Sequence, residues 1–369
     1  MITFHWFLPT AGDSRDIVGG GHGASQVAVA RRREPTIPYL TQTARAAEEL
    51  GFVGALTPTG PQCEDAWVTT AMLTQTTERL KYLVAFRPGY YSPTLAAHMG
   101  ASYQRQSGGR LMVNVVTGGE TAEARAYGDP LGKEGRYVRT GEFLQIVGDL
   151  WAGKEVDFAG THLRVEHASL RHLPDPVPQI YFGGSSPEAI DVAARHADVY
   201  LTWGEPPALA SEKLDQVRAA AAGFGRAPRF GIRFHVITRD RSEDAWAAAH
   251  RLVEGLDPDK IAAAQAGLAT SESEGQQRMR ALHSGSIDNL EVHPNVWAGI
   301  GLVRGGAGTA LVGSHEEVAE RILEYHALGI DEFILSGYPN LEEAYWFGEG
   351  VLPLLGRLGH WQHPKERRM

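Results

Sequence analysis

An arginine and a histidine stand two residues apart in an otherwise apolar stretch, "RFGIRFHVITR" at 229–239. The run is rich in Phe, Ile and Val, which favours a β-strand, and side chains two apart in a strand point to the same face. The opposite face is then continuously apolar, with Phe230, Ile232, Phe234 and Val236. A buried arginine is costly unless an anion pairs with it. Arg233 and His235 therefore predict an anionic ligand, although an edge strand with a solvated polar face is the alternative for this stretch alone.

Two further strand-like runs end in glycines and hydroxyls. "YFGGSSPEA" (181–189) passes from a strand through Gly184, Ser185 and Ser186 into a helix start, where free amides and the helix dipole favour a phosphate. An ordinary N-capped helix after a tight turn explains the same letters. "NVVTGG" (114–119) places the hydroxyl of Thr117 before two glycines. "GGGHGA" (19–24) resembles a dinucleotide fingerprint, but it lacks the βαβ context and a suitably placed acidic residue.

Other residues with reactive or polar groups are more isolated. Cys63 is the single cysteine, which excludes an intramolecular disulfide and a CxxC metal site, and a structural role is its ordinary interpretation. The histidines lack HExxH spacing, so we expect no catalytic metal. Trp203 and Tyr338 end strand-like runs, in "LTWGEPP" and "LSGYPN", where an aromatic with a polar handle can form a pocket rim or simply pack.

Eight apolar runs, separated by helical patterns, must position these residues. They span 3–8, 52–57, 82–87, 111–117, 179–184, 199–203, 230–238 and 332–338. Three of the helical patterns have clear ends: Gly51 stops the first, Pro93 opens another, and Ser186 with Pro187 begins a third. This alternation predicts an α/β fold of the (β/α)8 TIM-barrel type, with a doubly wound open sheet as the competitor.

Two insertions break the alternation. Residues 11–35 follow the first strand, and residues 255–313 follow the helix after the seventh strand. Loops at the carboxyl ends of barrel strands line the active face, so both insertions should lie over the mouth of the barrel. The sequence predicts one domain, 1–369, with a mobile lid within 255–313 that has glycine hinges at Gly305–Gly306 and Gly308.

Composition narrows the class of protein. The chain has 369 residues, 43% of them hydrophobic, and a formal net charge of −9, so a basic nucleic-acid footprint is absent. No apolar run approaches the length of a membrane span, and "MITFHWFLPT" lacks the charged start and cleavage site of a signal peptide. We expect a soluble, cytoplasmic protein that binds neither nucleic acid nor membrane.

Nine stretches, in order along nearly the whole chain, resemble the alkanesulfonate monooxygenases, a group of bacterial luciferase-like flavin monooxygenases. They are "FHWFLPT", "PTGPQCEDAW", "LKYLVAFRPG", "LMVNVVTGG", "YFGGSS", "YLTWGEPP", "RFGIRFHVI", "NVWAGIGLVRGGAGTALVG" and "SGYPNLEEAY". The resemblance implies a (β/α)8 barrel that uses reduced FMN (FMNH2), supplied by a separate NAD(P)H-dependent FMN reductase, with O2 as co-substrate. It also implies cleavage of a C–S bond to give sulfite and an aldehyde, and a homo-oligomer (dimer or tetramer).

The resemblance also implies roles for individual residues. The catalytic and sulfonate-binding set is Arg233, His235, Tyr338, Arg304 and Trp203. The residues nearest the flavin are Cys63, Thr117, Tyr137, Gly184, Ser185 and Ser186. A sulfonate stays anionic at physiological pH, so two arginines and a tyrosine hydroxyl suit it.

The chain departs from the simple alkanesulfonate enzymes at the mouth. Ala11 replaces a histidine, Pro61-Gln62 replaces Arg-Ser, and the 14–35 loop is longer and carries Arg31, Arg32 and Arg33. These changes predict a bulkier or more polar sulfonate, with sulfoquinovose as the leading candidate and linear alkanesulfonates as the alternative. A deazaflavin-dependent oxidoreductase on the same fold and a non-catalytic flavin- or sulfonate-binding protein are the competing functions.

Overall fold

A closed barrel of parallel strands forms the centre of the molecule. The computed structural model describes residues 1–17 and 32–366. The strands within these ranges are β1 (Thr3–Phe7), β2 (Gly54–Thr57), β3 (Lys81–Phe86), β4 (Leu111–Val115), β5 (Val156–Ala159), β6 (Arg164–Ala168), β7 (Gln179–Gly183), β8 (Val199–Trp203), β9 (Arg229–Arg239), β10 (Glu291–His293), β11 (Val296–Trp297), β12 (Ala310–Ser314) and β13 (Ile330–Ser336). Eight of them pair in the order β9-β13-β1-β2-β3-β4-β7-β8 and return to β9. The predicted TIM barrel is confirmed, because β8–β9 pairing closes the sheet that the doubly wound alternative would leave open.

Helices cover the outside of this barrel and supply the insertions. They are α1 (Ile37–Leu50), α2 (Ala66–Leu73), α3 (Pro93–Ser107), α4 (Thr121–Ala126), α5 (Lys133–Trp151), α6 (Pro187–His196), α7 (Pro207–Ala222), α8 (Ser242–Glu254), α9 (Pro258–Ala269), α10 (Glu274–Ala281), α11 (His315–Ala327) and α12 (Asn340–Arg357). The sequence signals at their ends are confirmed: Gly51 ends α1 at a φ of 95°, and the Ser186 side chain caps α6 by accepting from the amide of Ala189. Among the described residues, no helix is both long and apolar enough to cross a membrane.

Strand β9 is shared between the barrel and a small outer sheet. Its first half pairs with β8 and β13, and from His235 onward it pairs with β12, which continues into β11 and β10. Arg233 lies opposite Trp203 on β8, whereas His235 lies opposite Ala310 on β12. The arginine and the histidine therefore lie at the point where one edge of β9 stops pairing with β8 and begins to pair with β12.

The two faces of β9 differ as its sequence predicts. Phe230, Ile232, Phe234 and Val236 are buried in the core between strands and helices. The alternate positions turn toward the barrel interior, where Arg233 lies over the ring of Phe7 with its Cζ 4.5 Å from the ring centroid. The edge-strand alternative is therefore wrong, and the cation faces the inside of the fold.

The insertions are tied to the barrel at their ends. Asp13 and Arg33 form an isolated antiparallel bridge at the base of the first insertion. Residues 18–31, which include "GGGHGA" and Arg31, lie outside the described residues. The second insertion, 255–313, which we call the lid segment, contains α9, α10, β10, β11 and most of β12, and it packs Ile261, Ile300 and Leu302 into a second small core against α8.

A polar cluster fills the barrel interior near the amino-terminal ends of the strands. Glu332 on β13 is buried, accepts a hydrogen bond from the Tyr181 hydroxyl (2.7 Å) and pairs with His5 Nε2 (3.0 Å) and with Arg229. Ile334, two residues further along β13, lies in the next layer and reaches the cavity described below. The barrel interior is therefore layered: the Glu332 cluster lies near the amino-terminal ends of the strands, the Ile334 layer lies above it, and the cavity lies at the carboxyl ends.

Candidate active site

A large cavity opens at the carboxyl ends of the barrel strands. It encloses about 1850 Å³ including its open mouth. Residues at the ends of different strands line it, among them Phe7, Arg87, Thr117, Trp203, Arg233 and Tyr338. A concave site at the carboxyl ends of barrel strands is where the active site of this architecture lies, so this cavity is the candidate active site.

Two arginines contribute unbalanced positive charge to this cavity. Arg304, from the lid segment, is 5% exposed and donates from Nη1 to the carbonyl of Gly305 at 3.1 Å. Arg233 has its Nε and Nη2 buried without a hydrogen-bond partner among the described residues. Within residues 1–17 and 32–366, neither arginine forms an ion pair with a carboxylate. Burial and the nearby Arg304 lower the pKa of Arg233 to about 9, a cost that a bound anion would relieve.

His235 and Tyr338 lie beside these cations as a stacked pair. Their ring centroids are 5.2 Å apart at an interplanar angle of 16°, and His235 Nδ1 is 3.0 Å from the Ser336 hydroxyl. Burial, Arg304 and Arg233 hold the pKa of His235 well below 6.5, against the opposing effect of the Ala307 backbone. Burial also raises the pKa of Tyr338, although both arginines oppose it. At neutral pH the site therefore presents a neutral imidazole and a neutral phenol beside two cations.

Trp203, from the predicted catalytic set, and Cys63, which was predicted to lie near the flavin, line the same cavity. Burial raises the pKa of the Cys63 thiol, outweighing the opposing effects of Arg304 and Arg233, so the thiol stays protonated. A side chain on Gly275 of α10 would come within 3.2 Å of the Trp203 ring. The lid segment is therefore packed directly against the rim residue.

The other residues assigned to the flavin also line the cavity, except Ser186. Thr117, Tyr137, Gly184 and Ser185 line it, with Thr117 Oγ1 3.3 Å from Thr140 Oγ1. A Cβ on Gly184 would stand 2.6 Å from Ala189 Cβ, so this backbone must stay bare next to the amino terminus of α6. These features fit the phosphate end of FMN. Ser186 is different: it is buried and uses its hydroxyl to cap α6.

Ion pairs hold the lid segment over the cavity. Arg278 on α10 pairs with the buried carboxylate of Glu205, which also binds Lys213. Nearer the flavin residues, Glu272 accepts from Arg136 Nη2 at 3.0 Å. The Gln276 side chain accepts from the Gly306 amide at 2.8 Å, which joins α10 to the glycines beside Arg304.

Sequence reasoning missed an ion pair in the cavity wall and a clamp behind it. Arg87 Nη1 is 2.7 Å from Glu123 Oε1, and both residues line the cavity. Asp13 accepts hydrogen bonds from the backbone (2.8 Å) and side-chain (3.2 Å) amides of Asn340, two residues after Tyr338. The position of Arg87 directly after β3 was the available signal, but nothing in the sequence pairs Asp13 with Asn340.

Comparison with known proteins agrees with this architecture. A family model described as luciferase-like monooxygenase matches residues 2–332. A riboflavin lyase structure with modified FMN and its substrate riboflavin has a TM-score of 0.81, with 20% identity over 98% of this chain and 93% of that chain. EDTA monooxygenase from Chelativorans sp. BNC1 has a TM-score of 0.77, with 19% identity over 99% and 96%.

A relative with a different cofactor has the same fold. An F420-dependent secondary alcohol dehydrogenase, in complex with an F420–acetone adduct, has a TM-score of 0.69 and 17% identity, with 95% of this chain and 98% of that chain covered. At these identities the structural likeness shows the fold alone, whereas the family model spans most of the chain. The chain belongs to the luciferase-like monooxygenase family.

Proposed function

We propose that this protein uses reduced FMN and O2 to cleave the C–S bond of an organosulfonate. One oxygen atom enters the aldehyde and the other leaves as water, while reduced FMN becomes FMN and the sulfur leaves as sulfite with release of a proton. A separate NAD(P)H-dependent FMN reductase would supply the reduced flavin. The observation that supports this function is the meeting of Arg233 and Arg304, without carboxylate partners in the described chain, beside Tyr338 and His235. We call these four residues the anion site.

The anion site suits a sulfonate for electrostatic reasons. A sulfonate is anionic at all physiological pH values and offers three acceptor oxygens. Two guanidinium groups and a protonated phenol supply donors, and charge-assisted bonds of this kind are about twice as strong as neutral ones. Because the site is buried, it also removes water from the anion and strengthens each contact. Binding there would offset the cost of keeping Arg233 charged.

The remaining residues have roles around the flavin and the proton. Tyr137, Gly184 and Ser185 would hold the phosphate of FMN, and Thr117 would lie near the ring. Bound reduced FMN supplies the electrons that activate O2. In the tautomer in which His235 Nδ1 donates to Ser336 Oγ, Nε2 carries the lone pair that can accept a proton. Trp203 and the lid segment would keep water out.

The rim favours a bulky, polar sulfonate such as sulfoquinovose over a linear alkanesulfonate. Ala11, Pro61 and Gln62 all line the cavity, so small and neutral side chains occupy the positions where we expected the mouth to widen. Arg33, the last of the three arginines in the long loop, donates hydrogen bonds to Tyr39 and Glu342. These contacts are made within the protein, and Arg33 does not line the cavity as described.

A desulfonation assay tests this function. Purified protein, an FMN reductase, NADH and catalase are combined with sulfoquinovose or octanesulfonate, and sulfite and oxygen uptake are measured together. We expect one sulfite per O2 consumed above the uncoupled background, with faster turnover of sulfoquinovose. Failure to release sulfite from any sulfonate would contradict the function, and oxidation with a deazaflavin without oxygen uptake would favour the hydride-transfer alternative. Faster turnover of octanesulfonate would contradict the substrate assignment only.

A further inference from the structure

The Arg87–Glu123 pair in the cavity wall is not explained by flavin or anion binding. Arg87 follows β3 and is 4% exposed, while the Glu123 side chain on α4 is 17% exposed. Arg87 Nη1 lies 2.7 Å from Glu123 Oε1 and donates to the Tyr90 hydroxyl at 3.1 Å. Its Nε is buried without a hydrogen-bond partner among the described residues. A buried donor next to the cavity is therefore available to a ligand.

This pair and the anion site face the same space. A Cβ placed on Gly60 would be 3.7 Å from Gln62 Oε1 and 3.9 Å from Glu123 Oε1, so the amide and the carboxylate both lie close to the bare backbone of Gly60. Cys63, three residues from Gly60, experiences Arg304 and Arg233 as well as Glu123. These residues line one cavity together with Arg87, so a single molecule can extend from the cations to the polar wall.

The chemistry of the wall fits hydroxyl groups. A hydroxyl both donates and accepts, so a carboxylate and a guanidinium side by side can each bind one of two neighbouring hydroxyls. A buried ion pair gains little stability for the fold, because the cost of desolvation offsets the attraction between its charges. An alkyl chain would cover this wall without offering it a hydrogen bond and would leave the buried Nε of Arg87 unsatisfied, which a site built for hydroxyls penalises strongly.

We propose that Arg87, Glu123 and Gln62 form a hydroxyl-binding subsite that selects sulfonates with a polyhydroxylated body. This inference rests on the proposed function and deepens it, because it assigns the choice between a sulfosugar and an alkanesulfonate to three residues. The pyrimidine edge of a flavin carries a similar mixture of donors and acceptors, and the experiment separates it from the hydroxylated substrate.

The test compares two substrates and the cofactor in the same variants. Glu123→Gln and Arg87→Met remove one charge each, and Gln62→Leu changes an exposed loop position. For each variant we measure kcat/KM for sulfoquinovose and for octanesulfonate by sulfite release, and the dissociation constant of FMN by fluorescence titration. Glu320→Gln and Arg251→Met, at exposed positions on α11 and α8, are the matched controls.

We expect the sulfoquinovose-to-octanesulfonate ratio to fall by about 10- to 100-fold in the charge variants, the size expected for one lost hydrogen bond to a charged group. The fall should appear mainly in KM, with a smaller change in the same direction for Gln62→Leu. FMN binding and both controls should stay at wild-type values. Equal losses for both sulfonates, or a loss in FMN binding that accounts for the effect, would overturn the subsite.

A binding measurement tests the subsite even if the protein does not catalyse the proposed reaction. If the wild type releases no sulfite from either compound, isothermal titration of sulfoquinovose into wild-type protein and Glu123→Gln still reports on the subsite. Tighter binding by the wild type would support it without turnover, whereas absent or equal binding would overturn it. If octanesulfonate is desulfonated normally and the ratio is unchanged in all three variants, the subsite alone is wrong.

Discussion

Arg233 is the residue on which the anion site depends most. It is a cation with two unpartnered nitrogens in the described structure, and its guanidinium lies over the Phe7 ring, so its truncation should remove ligand binding without breaking an ion pair. We expect Arg233→Ala to weaken sulfonate binding by about 10- to 150-fold, the equivalent of about 1.5–3 kcal/mol for a charge-assisted contact, and to slow sulfite release further. Equilibrium binding and steady-state desulfonation measure the two effects.

The folded state should survive this change. Relieving a buried, uncompensated charge leaves the free energy of unfolding equal to or above that of the wild type. Arg251→Ala, which removes an exposed arginine from α8, is the control for loss of charge. Sulfite release at the wild-type rate by well-folded Arg233→Ala would exclude the arginine from the anion site.

His235 should make stability depend on pH in a defined direction. Its pKa is well below 6.5 in the folded protein, so below about pH 6.5 the unfolded chain binds a proton that the native state does not. The native state then loses up to about 1.4 kcal/mol of stability per pH unit as the pH falls. His235→Gln removes this contribution, and urea unfolding between pH 5 and 8 should give a flatter curve for the variant. Parallel curves for wild type and variant would show that folding does not change proton binding by the imidazole.

Among the elements, the turn between β13 and α12 is held from behind by Asp13. This carboxylate accepts from the Tyr39 hydroxyl and from both amides of Asn340, close to Tyr338. Asp13→Asn places an amide donor against these donors. We expect a loss of about 1–3 kcal/mol in the free energy of unfolding, together with a higher KM for the sulfonate because Tyr338 shifts.

Asp16→Asn, at an exposed position in the same loop, should leave both quantities unchanged. A destabilised Asp13→Asn with an unchanged sulfonate KM would show that the clamp supports the fold only and does not position Tyr338.

The lid segment is a second element whose behaviour can be tested. We predict that it opens without ligand and closes when flavin and sulfonate are both bound, because ion pairs rather than a large apolar core hold α10 to the barrel. Limited proteolysis should cut within 255–313 more slowly with both ligands. Arg278→Gln, which breaks the contact with Glu205, should increase cutting, whereas Lys260→Gln at an exposed position should not. Equal cutting with and without ligands would contradict a lid.

Elements were easier to predict from sequence than the contacts between them. All eight predicted strands exist because each is a mostly apolar run, although the second begins at Gly54 rather than Phe52. The shift occurs because the Phe52 amide is used to end α1, by donating to the Ala47 carbonyl. The β5–β6 hairpin was not predicted, because its few apolar residues alternate with charged or exposed ones and only Val156 is fully buried.

The site was predicted in part for a similar reason. Arg233 and His235 were found because one strand carries both, so the period of the strand alone places them together. Arg87 and Glu123 come from different elements, and only the closed barrel brings them to 2.7 Å. The periodicity of one segment shows which of its own residues share a face, but it cannot show a contact between two segments.

At the scale of the whole molecule, the Glu332 cluster should support stability without affecting chemistry. Burial opposes ionisation of Glu332, but His5, Arg229 and Tyr181 hold its pKa below 4.5. Its contribution is therefore present above about pH 4.5 and is lost as the pH falls through the lower native value. We expect Glu332→Gln to lower the free energy of unfolding by about 3 kcal/mol at pH 7, and by less in acid.

Denaturant unfolding at pH 7 and pH 4 measures this difference. The sulfonate KM should stay near the wild-type value, because the layer that contains Ile334 separates Glu332 from the cavity. A large rise in KM with unchanged stability would show that the floor of the barrel acts on the site directly.

The sharing of β9 between the barrel and the outer sheet has a consequence for how such a protein can change over evolutionary time. The barrel closes through the first half of the strand, and the outer sheet attaches only to the second half, from His235 onward. A segment grafted there can lengthen, shorten or be replaced without breaking a single barrel pairing. The lid segment, which lines the cavity, can therefore change in sequence and length while Arg233 and His235, on β9, stay with the barrel.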